Sequence, residues 1–314
     1  MERIVDKYIS LLTDFGFKRI FGTIPNKDLL INFLNSLFDG KEVVTDVTYL
    51  NSEHVGDTLA DRKAIFDVYC ENDKGEKFIV EMQNTFQKFF KDRSLFYSTF
   101  PIREQAPKGM DWNFELKSVY TIAFLNFDMK AEEAFDKEDI QHEVGLLDKK
   151  TYKVFNEKLT FKYIEIAKFN KTEDELETLF DKWLFVLKNL PNLDKRPAAL
   201  REQIFARLFK EAEIASFNRE EMQEYENSLK AYRDIKNSID TALEQGIEKG
   251  LEQGRAEGLA KGLAEGRAEG RAEGRAEGRA EANLEHIQRM RQMGMSNSDI
   301  AELLGLDTGY IENV

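Results

Sequence analysis

Cysteine, long apolar runs and nucleotide-binding loops are absent or nearly absent from this sequence. Its 314 residues include one cysteine, Cys70, so no disulfide can form within the chain. A single cysteine is typical of a reducing compartment, and we expect a cytoplasmic protein. No apolar run approaches the roughly 20 residues that a membrane-spanning helix needs, and no Gly-x-x-x-x-Gly-Lys-Ser/Thr loop is present. The sequence therefore predicts neither a membrane span nor a nucleotide cofactor.

Positive charge and histidine are also scarce. The chain has 45 Lys and Arg against 58 Asp and Glu, a formal net charge of -13. This balance argues against a surface covered with nucleic-acid-binding cations, although a local basic groove is compatible with it. The three histidines, His54, His142 and His286, lie far apart and in no metal-ligand spacing. We expect each of them to be ordinary polar surface.

Aromatic and apolar residues are abundant, and their spacing predicts an α/β core with a mostly helical second half. The 24 Phe and 10 Tyr thin out after about residue 232, which places the aromatic core in the first three quarters of the chain. Residue 101 is a proline that must kink or end the third predicted helix. The predicted helices are 14–21, 27–37 and 85–105, and the predicted strands are 43–50, 64–70, 77–83, 117–127 (the centre of the sheet) and 158–169.

The clearest candidate for chemistry is a hairpin formed by the second and third of these strands. The segment 71–76 supplies turn residues, and a turn centred on Lys74 sets Asp67 opposite Glu81. Directly opposed side chains lie roughly 5 Å apart at Cβ. Strand side chains alternate between faces, so Glu81 and Gln83 share a face. The opposite face carries Phe78, Val80, Met82 and Cys70, and we expect Cys70 to be core and not a nucleophile.

Two close carboxylates and an amide suit a divalent cation. Mg²⁺ is usually held by one or two carboxylates together with water and phosphate oxygens, and Mn²⁺ is the alternative ion. Such an ion activates water and stabilises a leaving oxygen. The alternative is that Asp67 and Glu81 are only the solvent face of a surface hairpin. The short apolar strands and the scarcity of Asp in strands favour a buried site.

The residues that carry this site resemble a known family. Asp67 followed by Glu81, Met82 and Gln83 resembles the PD-(D/E)XK nuclease signature in the variant with Gln in place of Lys. The surrounding sequence is similar to the Rpn family of recombination-promoting nucleases and transposases over most of residues 9–240. The similar segments are DFGFKRIFG (14–22), DRKAIFDV (61–68), FIVEMQ (78–83), Arg93 with Tyr97, IEIAKF (164–169) and Trp183.

The resemblance implies a restriction-endonuclease-like fold, with a mixed central sheet flanked by helices, that cuts DNA with Mg²⁺. It implies that Asp67 and Glu81 bind the metal, that Gln83 orients water or phosphate, and that Asp14 completes the metal shell. A neutral amide cannot offset charge on phosphate as Lys does, although Gln is the usual residue within this family. Candidates for DNA contact, or alternatively for a structural role, are Lys18, Arg62, Lys88 and Arg93.

The last quarter of the chain has a different composition. From Gly246 to Gly278 a glycine recurs at every fourth residue, and the later repeats read GRAE. Each interior Gly costs roughly 1 kcal/mol in a helix, and the repeat places like charges at i,i+4 spacing. We therefore expect a poor isolated helix that serves as a spacer, or as a self-association arm that packs its glycines against a partner helix.

The final segment has the spacing of a miniature helix-turn-helix, but its last helix carries no Lys or Arg. We therefore favour a packing or dimerisation module over DNA reading. The predicted organisation is a nuclease core (1–170), a helical extension packed on it (171–240), the repeat arm or spacer (241–282) and the tail (283–314).

Two functions follow from the sequence. The first is a Mg²⁺-dependent DNA endonuclease linked to recombination or mobile DNA. It would act as a homo-oligomer through the helical second half or the glycine-repeat arm. The alternative is a catalytically silent nuclease scaffold that binds DNA or protein partners.

Overall fold

The computed structural model describes residues 6–38, 40, 42–54, 64–106, 113–129 and 138–314. The chain divides into two compact units, Met1–Asn237 and Ser238–Val314. Arg62, one of the predicted DNA contacts, lies outside the described residues. Within the described ranges, no helix is both long enough and apolar enough to cross a membrane.

The first unit is built around a six-stranded mixed sheet. Its order is β1-β4-β5-β6-β8-β7, with β5, β6 and β8 parallel and the other neighbours antiparallel; β2 and β3 form a separate antiparallel pair. This arrangement confirms the expected mixed sheet. The strands are β1 (Val47–Tyr49), β2 (Glu53–His54), β3 (Ala64–Ile65), β4 (Val68–Asn72), β5 (Lys77–Gln83), β6 (Val119–Leu125), β7 (Gln141–Leu147) and β8 (Val154–Glu165).

The centre and the edge of this sheet differ in how well the sequence predicts them. All seven residues of β6 are buried, as expected for a central strand covered on both faces. The edge strand β7 was not predicted. Five of its seven residues are exposed, so its sequence QHEVGLL shows no apolar alternation that would mark a strand.

Eight α-helices are found in the described residues. They are α1 (Asp14–Phe21), α2 (Lys27–Phe38), α3 (Phe90–Glu104), α4 (Leu179–Asn189), α5 (Gln203–Glu211), α6 (Arg219–Gln292), α7 (Asn297–Leu304) and α8 (Thr308–Glu312). Helix α1 has the predicted bounds because Thr13 caps it, accepting the Gly16 N–H at 3.1 Å. Helix α3 starts later than predicted and runs three residues past Pro101, since an interior proline removes only one helical hydrogen bond.

An aromatic cluster joins the sheet to the helices. The Phe33 ring on α2 lies 4.7 Å from Phe21, 4.8 Å from Phe124 and 5.1 Å from Trp183, centroid to centroid. All four side chains are fully buried, and Trp183 donates its indole N–H to Asn32 at 2.9 Å. The cluster packs α1, α2 and α4 against one face of β6, which fixes the helical layer beneath the strands that carry the candidate site.

The glycine repeat is helical in the structure. Residues 246–278 lie inside α6, and a Cβ atom built on any of the nine repeat glycines would meet no described atom within 4 Å. The expectation of a poor isolated helix concerns stability and stays a prediction. Arginine, alanine and glutamate fill the other three positions of the later repeats, and these are among the best helix formers.

A small core closes the second unit after the repeat. It consists of Ile287 from the end of α6, Ile300 and Ala301 from α7, and Ile311 from α8. Gly294, with a φ of 83°, lies in the turn between α6 and α7.

Candidate active site

The hairpin of β4 and β5 has the predicted register. Val68 pairs with Val80 and Glu71 with Lys77, so continuing the register by one residue sets Asp67 opposite Glu81. The turn between the strands is closed by the Gly75 N–H, which donates to the Asn72 carbonyl at 3.0 Å. Gly75 has a φ of 77°, a left-handed conformation that glycine adopts without strain.

The two faces of β5 also separate as predicted. Phe78, Val80 and Met82 belong to the main core, and so does Cys70, which confirms that this cysteine is a core residue. Burial raises the pKa of the Cys70 thiol to about 12, so it is inert at neutral pH. The other face of β5 carries Ile79, Glu81 and Gln83. Glu81 is only 9% exposed at its side chain.

Asp67 lies just before β4 and is held by the backbone of β5. Its Oδ2 accepts the Met82 N–H at 2.8 Å. The Asp67 carboxylate thus accepts a backbone N–H of β5 just beyond the first residue of β4 in the ladder. A buried N–H needs such an acceptor, which explains an aspartate at the strand end. Burial raises the pKa of Asp67 above its ordinary value; the Met82 hydrogen bond lowers it, and the nearby Asp14 raises it.

Glu81 is the most strongly perturbed acid of the site. Burial and, second, the negative charge of Asp67 raise the pKa of Glu81 to about 8; Arg93 and the Gln83 amide act in the opposite direction. Gln83 donates from Nε2 to Glu81 Oε2 at 2.9 Å. The Arg93 guanidinium, from α3, donates to Gln83 Oε1 and lies 3.9 Å from Glu81 Oε2. The Gln83 amide therefore bridges the Glu81 carboxylate and the Arg93 guanidinium.

This donor set fits a divalent cation. Burial raises the pKa of both carboxyls, and the charge of Asp67 raises that of Glu81 further, so the pair is unfavourable alone and a bound cation would offset the repulsion. Asp67 and Glu81 supply the one or two carboxylates with which proteins usually hold Mg²⁺. No group of three or more His, Cys, Asp or Glu side chains within the described ranges is arranged to bind a metal. The other ligands of such an ion would then be water or phosphate oxygens.

Asp14 and Lys18 lie on α1, at the side of the site. They form an ion pair of 2.8 Å, and the Asp14 side chain is 63% exposed. Both charges act on the Asp67 carboxylate. The roles predicted for them, metal binding by Asp14 and DNA contact by Lys18, stay predictions.

Two predicted DNA contacts line one groove beside the site. Arg93 and Lys88 are among the lining residues of a cavity of about 670 Å³, together with Phe89, Phe96 and Tyr97. The Arg93 guanidinium lies over the Tyr97 ring at 5.7 Å. Its Nε is buried and has no hydrogen-bond partner among the described residues.

Glu165, a buried acid that the sequence does not predict as functional, lies at the same end of the sheet as Gln83. Glu165 is fully buried and accepts from the Met129 N–H at 2.6 Å and Lys168 Nζ at 2.9 Å. Its other neighbour is His142 Nε2, at 2.8 Å. The expectation that His142 is polar surface is wrong, because it is 7% exposed. Gln83 pairs with Leu125, and Leu125 pairs with Glu165. The backbones of Gln83 and Glu165 are therefore two strand spacings apart, or roughly 10 Å.

The comparisons with known proteins identify the family. The family model described as PD-(D/E)XK nuclease family transposase matches residues 11–242, which is more than half of the chain. The searches of curated proteins and of solved structures gave no match. PD-(D/E)XK nucleases generally use divalent metals, and membership supports a nuclease-type function linked to mobile DNA. The chain therefore belongs to the PD-(D/E)XK nuclease family transposases.

Proposed function

We propose that this protein is a Mg²⁺-dependent DNA endonuclease that hydrolyses phosphodiester bonds, with Mn²⁺ as an alternative ion. The observation that carries the proposal is the approach of Asp67 and Glu81 across the hairpin. Burial and, second, the negative charge of Asp67 raise the pKa of Glu81 to about 8. Acids with strongly perturbed pKa values cluster at functional sites, which supports a catalytic or metal-binding role for this pair.

The residues of the site have different proposed roles. Asp67 and Glu81 would hold the ion, which, when bound, lowers the pKa of a water molecule and stabilises the leaving oxygen. The Met82 N–H fixes the Asp67 carboxylate, and Gln83 fixes the Glu81 carboxylate. Further contacts with the metal or with DNA phosphates are proposed for Asp14, Lys18, Arg62, Lys88 and Arg93.

Arg93 offsets the missing lysine of the family signature. A lysine in place of Gln83 would bring a positive charge to the reacting phosphate. Gln83 is neutral, but its amide oxygen accepts from the Arg93 guanidinium. The positive charge of Arg93, on α3, thus lies next to Gln83, the position on β5 where the family signature has lysine. Arg93 is therefore proposed as the residue that positions Gln83 and supplies positive charge near the cut.

Plasmid nicking in the presence of Mg²⁺ tests the proposal. We expect Asp67→Ala and Glu81→Ala each to lower the nicking rate by roughly a hundredfold or more, since each removes a charge that the transition state needs. The matched control is Asp73→Ala, which removes an exposed carboxylate from the turn of the same hairpin and should nick like the wild type. Nicking that survives both site substitutions in folded protein would contradict the assignment.

The alternative is a catalytically silent scaffold that binds DNA or a protein partner. One observation favours it: within the described ranges no cluster of three metal-ligating side chains is found. In that case the wild type would bind DNA without nicking it under any of Mg²⁺, Mn²⁺, Ca²⁺ or Co²⁺. Gel-shift and nicking assays on the same preparation separate the two functions.

We also propose that the protein works as a homo-oligomer in recombination or transfer of mobile DNA. One active site per chain makes one cut, so a double-strand break requires two copies. The helical second half and the glycine-repeat arm are the candidate association surfaces.

A further inference from the structure

Helix α3 and the residues just before it form an aromatic groove beside the candidate site. The groove is the cavity of about 670 Å³ whose lining includes Phe89, Phe96 and Tyr97, and it is called the α3 groove. Phe89 is 65% exposed and Phe96 is 44% exposed. Exposed apolar surface that is gathered in one place marks a binding site more often than scattered residues do. The volume lies within the roughly 300–1,000 Å³ of sites for small organic ligands, so the groove accommodates a group of the size of a nucleotide.

Arg93 connects the α3 groove to the acids of the candidate site. One guanidinium nitrogen donates to Gln87, in the wall of the groove, at 2.6 Å, and another donates to Gln83. The guanidinium carbon lies 5.7 Å from the centre of the Tyr97 ring, and one guanidinium nitrogen lies 3.9 Å from Glu81 Oε2. A strand rises ~3.4 Å per stacked nucleotide, so a base in the groove would be within about three nucleotides of a phosphate held at the acids.

The charge of the α3 groove suits a nucleic acid strand. Lys88 and Arg93 line it together with one acid, Asp92, so the groove is locally positive in a chain whose net charge is -13. Lys88 Nζ lies 5.5 Å from the centre of the Phe89 ring. Proteins that bind single strands combine cations, which follow the phosphates, with aromatic rings on which the bases stack. The groove has both.

An unpaired base fits these rings better than a base pair does. In a duplex the faces of each base are covered by its neighbours, and only the base edges are accessible in the grooves. An aromatic side chain stacks on a base where the strand is single or the base is turned out of the helix. Phe89 and Phe96 are the exposed rings of the groove, and Tyr97 is half-buried. Phe89 and Phe96 are therefore the candidates for stacking.

We propose that the α3 groove binds an unpaired nucleotide of a DNA strand, with the base stacked on Phe89 or Phe96 and a phosphate against Lys88. The preferred substrate is then DNA with a single-stranded segment, such as a flap or a gap, close to the bond that is cut. This choice of substrate rests on the proposed function, whereas binding in the groove does not require cleavage. A protein partner is the competing occupant. It would lie against Arg93, the residue that contacts Gln83, and would hinder access of DNA to the acids.

Fluorescence anisotropy of the full-length protein in EDTA measures binding without cleavage. We expect a short thymidine strand to bind at least tenfold more tightly than a duplex of the same length. Phe89→Ala combined with Phe96→Ala should weaken binding of the strand at least tenfold and leave binding of the duplex within twofold, because only unpaired bases stack on these rings. A strand that binds no more tightly than the duplex would overturn the proposal.

Two further variants control for effects on folding. Phe89→Trp combined with Phe96→Trp keeps aromatic rings at both positions and should bind the strand like the wild type. Phe155→Ala removes a ring that is 80% exposed on β8 and should also bind like the wild type. If loss of Phe155 weakened binding of the strand as much as loss of both groove rings, the effect would not belong to the α3 groove and the proposal would fail.

An abasic strand separates stacking from charge, since it keeps the phosphates and lacks the bases. The wild type should bind it at least tenfold more weakly than the thymidine strand. The variant with alanine at 89 and 96 should bind the two strands alike. Equal binding of both strands by the wild type would show that only phosphates are recognised, which contradicts a stacked base.

The salt dependence of binding tests the phosphate contact. Lys88→Ala should weaken binding of the thymidine and abasic strands by the same factor. It should also lower the slope of log Kd against log salt by about 0.7, the contribution of one phosphate contact on a single strand. Lys149→Ala, an exposed lysine in the turn between β7 and β8, should leave the slope as it is. An unchanged slope in Lys88→Ala would contradict the contact assigned to Lys88.

Nicking assays keep this proposal distinct from the proposed function. If nicking depends on Asp67 and Glu81 but the variant with alanine at 89 and 96 cuts flapped and fully paired DNA in the wild-type ratio, the substrate preference is wrong and the nuclease stands. If the wild type never nicks DNA but binds the strands as expected, the nuclease is wrong and the groove stands. Sedimentation without DNA covers the competing occupant. Loss of self-association in the alanine variant, with unchanged binding of the strand, would assign the groove to a protein interface and overturn the proposal.

Discussion

The buried carboxyl of Glu81 should make the stability of this fold depend on pH. Its pKa is raised from 4.5 to about 8 by burial and by Asp67. A raised pKa means that the folded protein binds a proton the unfolded chain has lost, between about pH 4.5 and 8. The free energy of unfolding of the metal-free protein should therefore fall as pH rises through this window.

Glu81→Gln tests that sign. The amide cannot ionise, so we expect the variant to lose the decline and to be more stable than the wild type by roughly 2–4 kcal/mol above pH 8. Urea unfolding in EDTA at pH 5.5 and pH 8.5 measures both. Glu115→Gln is the control, because that side chain is 69% exposed and should leave the slope as it is. An unaltered slope in Glu81→Gln would assign the pH dependence to other groups.

Arg93 should govern the same titration in the active protein. Removing its positive charge leaves Glu81 harder to ionise and frees the Gln83 amide, so we expect Arg93→Ala to lower nicking and to move its pH profile to higher pH. Arg93→Lys keeps the charge but loses the planar fork that reaches both neighbours, and should recover only part of the activity. Pre-steady-state nicking from pH 6 to pH 9 checks this. Arg201→Ala, an exposed arginine elsewhere in the unit, should leave the profile in place.

Local patterns predict part of the site and no more. Alternation along β5 and the turn at Gly75 suffice to bring Asp67, Glu81 and Gln83 to one place. The bond between Gln83 and Arg93 depends on how α3 rotates over the sheet, and tertiary packing sets that rotation. The pairing of His142 with Glu165 joins two strands at a separation of 23 residues, and no local periodicity encodes it.

Glu165, at the end of β8, connects three other parts of the first unit by hydrogen bonds and an ion pair; these contacts are called the Glu165 clasp. Glu165 binds His142 of β7, the Met129 backbone after β6, and Lys168 in the turn that follows. Burial alone would raise its pKa, but hydrogen bonds from Lys168, the Met129 N–H and His142 outweigh burial and lower it. The clasp therefore contributes stability above the ordinary pKa of 4.5, and this is lost as pH falls through the lowered value.

Glu165→Gln should destabilise the first unit by about 3 kcal/mol at pH 7, because it leaves a poorly solvated Lys168 without its counter-charge. Urea unfolding monitored by tryptophan fluorescence gives the difference, which should shrink as pH is lowered below about 4. The control is Glu157→Gln, an exposed residue on the same strand. A loss confined to low pH would reverse the expected sign and rule out the clasp.

Elements with a strong local signal are predicted to the residue, and those defined by neighbours are not. Helix α1 has a capping residue and a regular apolar face, and β5 is an apolar run that follows a clear turn, so their predicted bounds agree with the structure. Strand β7 is an exposed edge that, among the described strands, pairs with β8 alone. The helix predicted over residues 85–105 begins only at Phe90, because the residues between the end of β5 and Phe90 form a loop and turn.

The proposed chemistry belongs to the first of the two compact units, and the glycine-repeat arm proposed for association belongs to the second. The aromatic core, with Trp183 and the Phe rings around it, lies within Met1–Asn237, and the small core around Ile300 lies within Ser238–Val314. The drop in aromatic content after about residue 232 marks this division in the sequence. All the proposed catalytic residues belong to the first unit.

Deleting residues 238–314 should therefore spare chemistry and remove pairing. Because the core of the first unit is intact, we expect its thermal midpoint to move by no more than about 2–4 °C, the shift that a change of roughly 1 kcal/mol gives. Nicking of supercoiled plasmid should continue, whereas conversion to the linear form, which needs a second cut by a nearby copy, should slow at least tenfold. Leu251→Ser combined with Leu259→Ser, which replaces two exposed leucines of α6, keeps the full length and should behave the same way. Linearisation at the wild-type rate by either chain would mean that one copy makes both cuts, and that α6 serves another purpose.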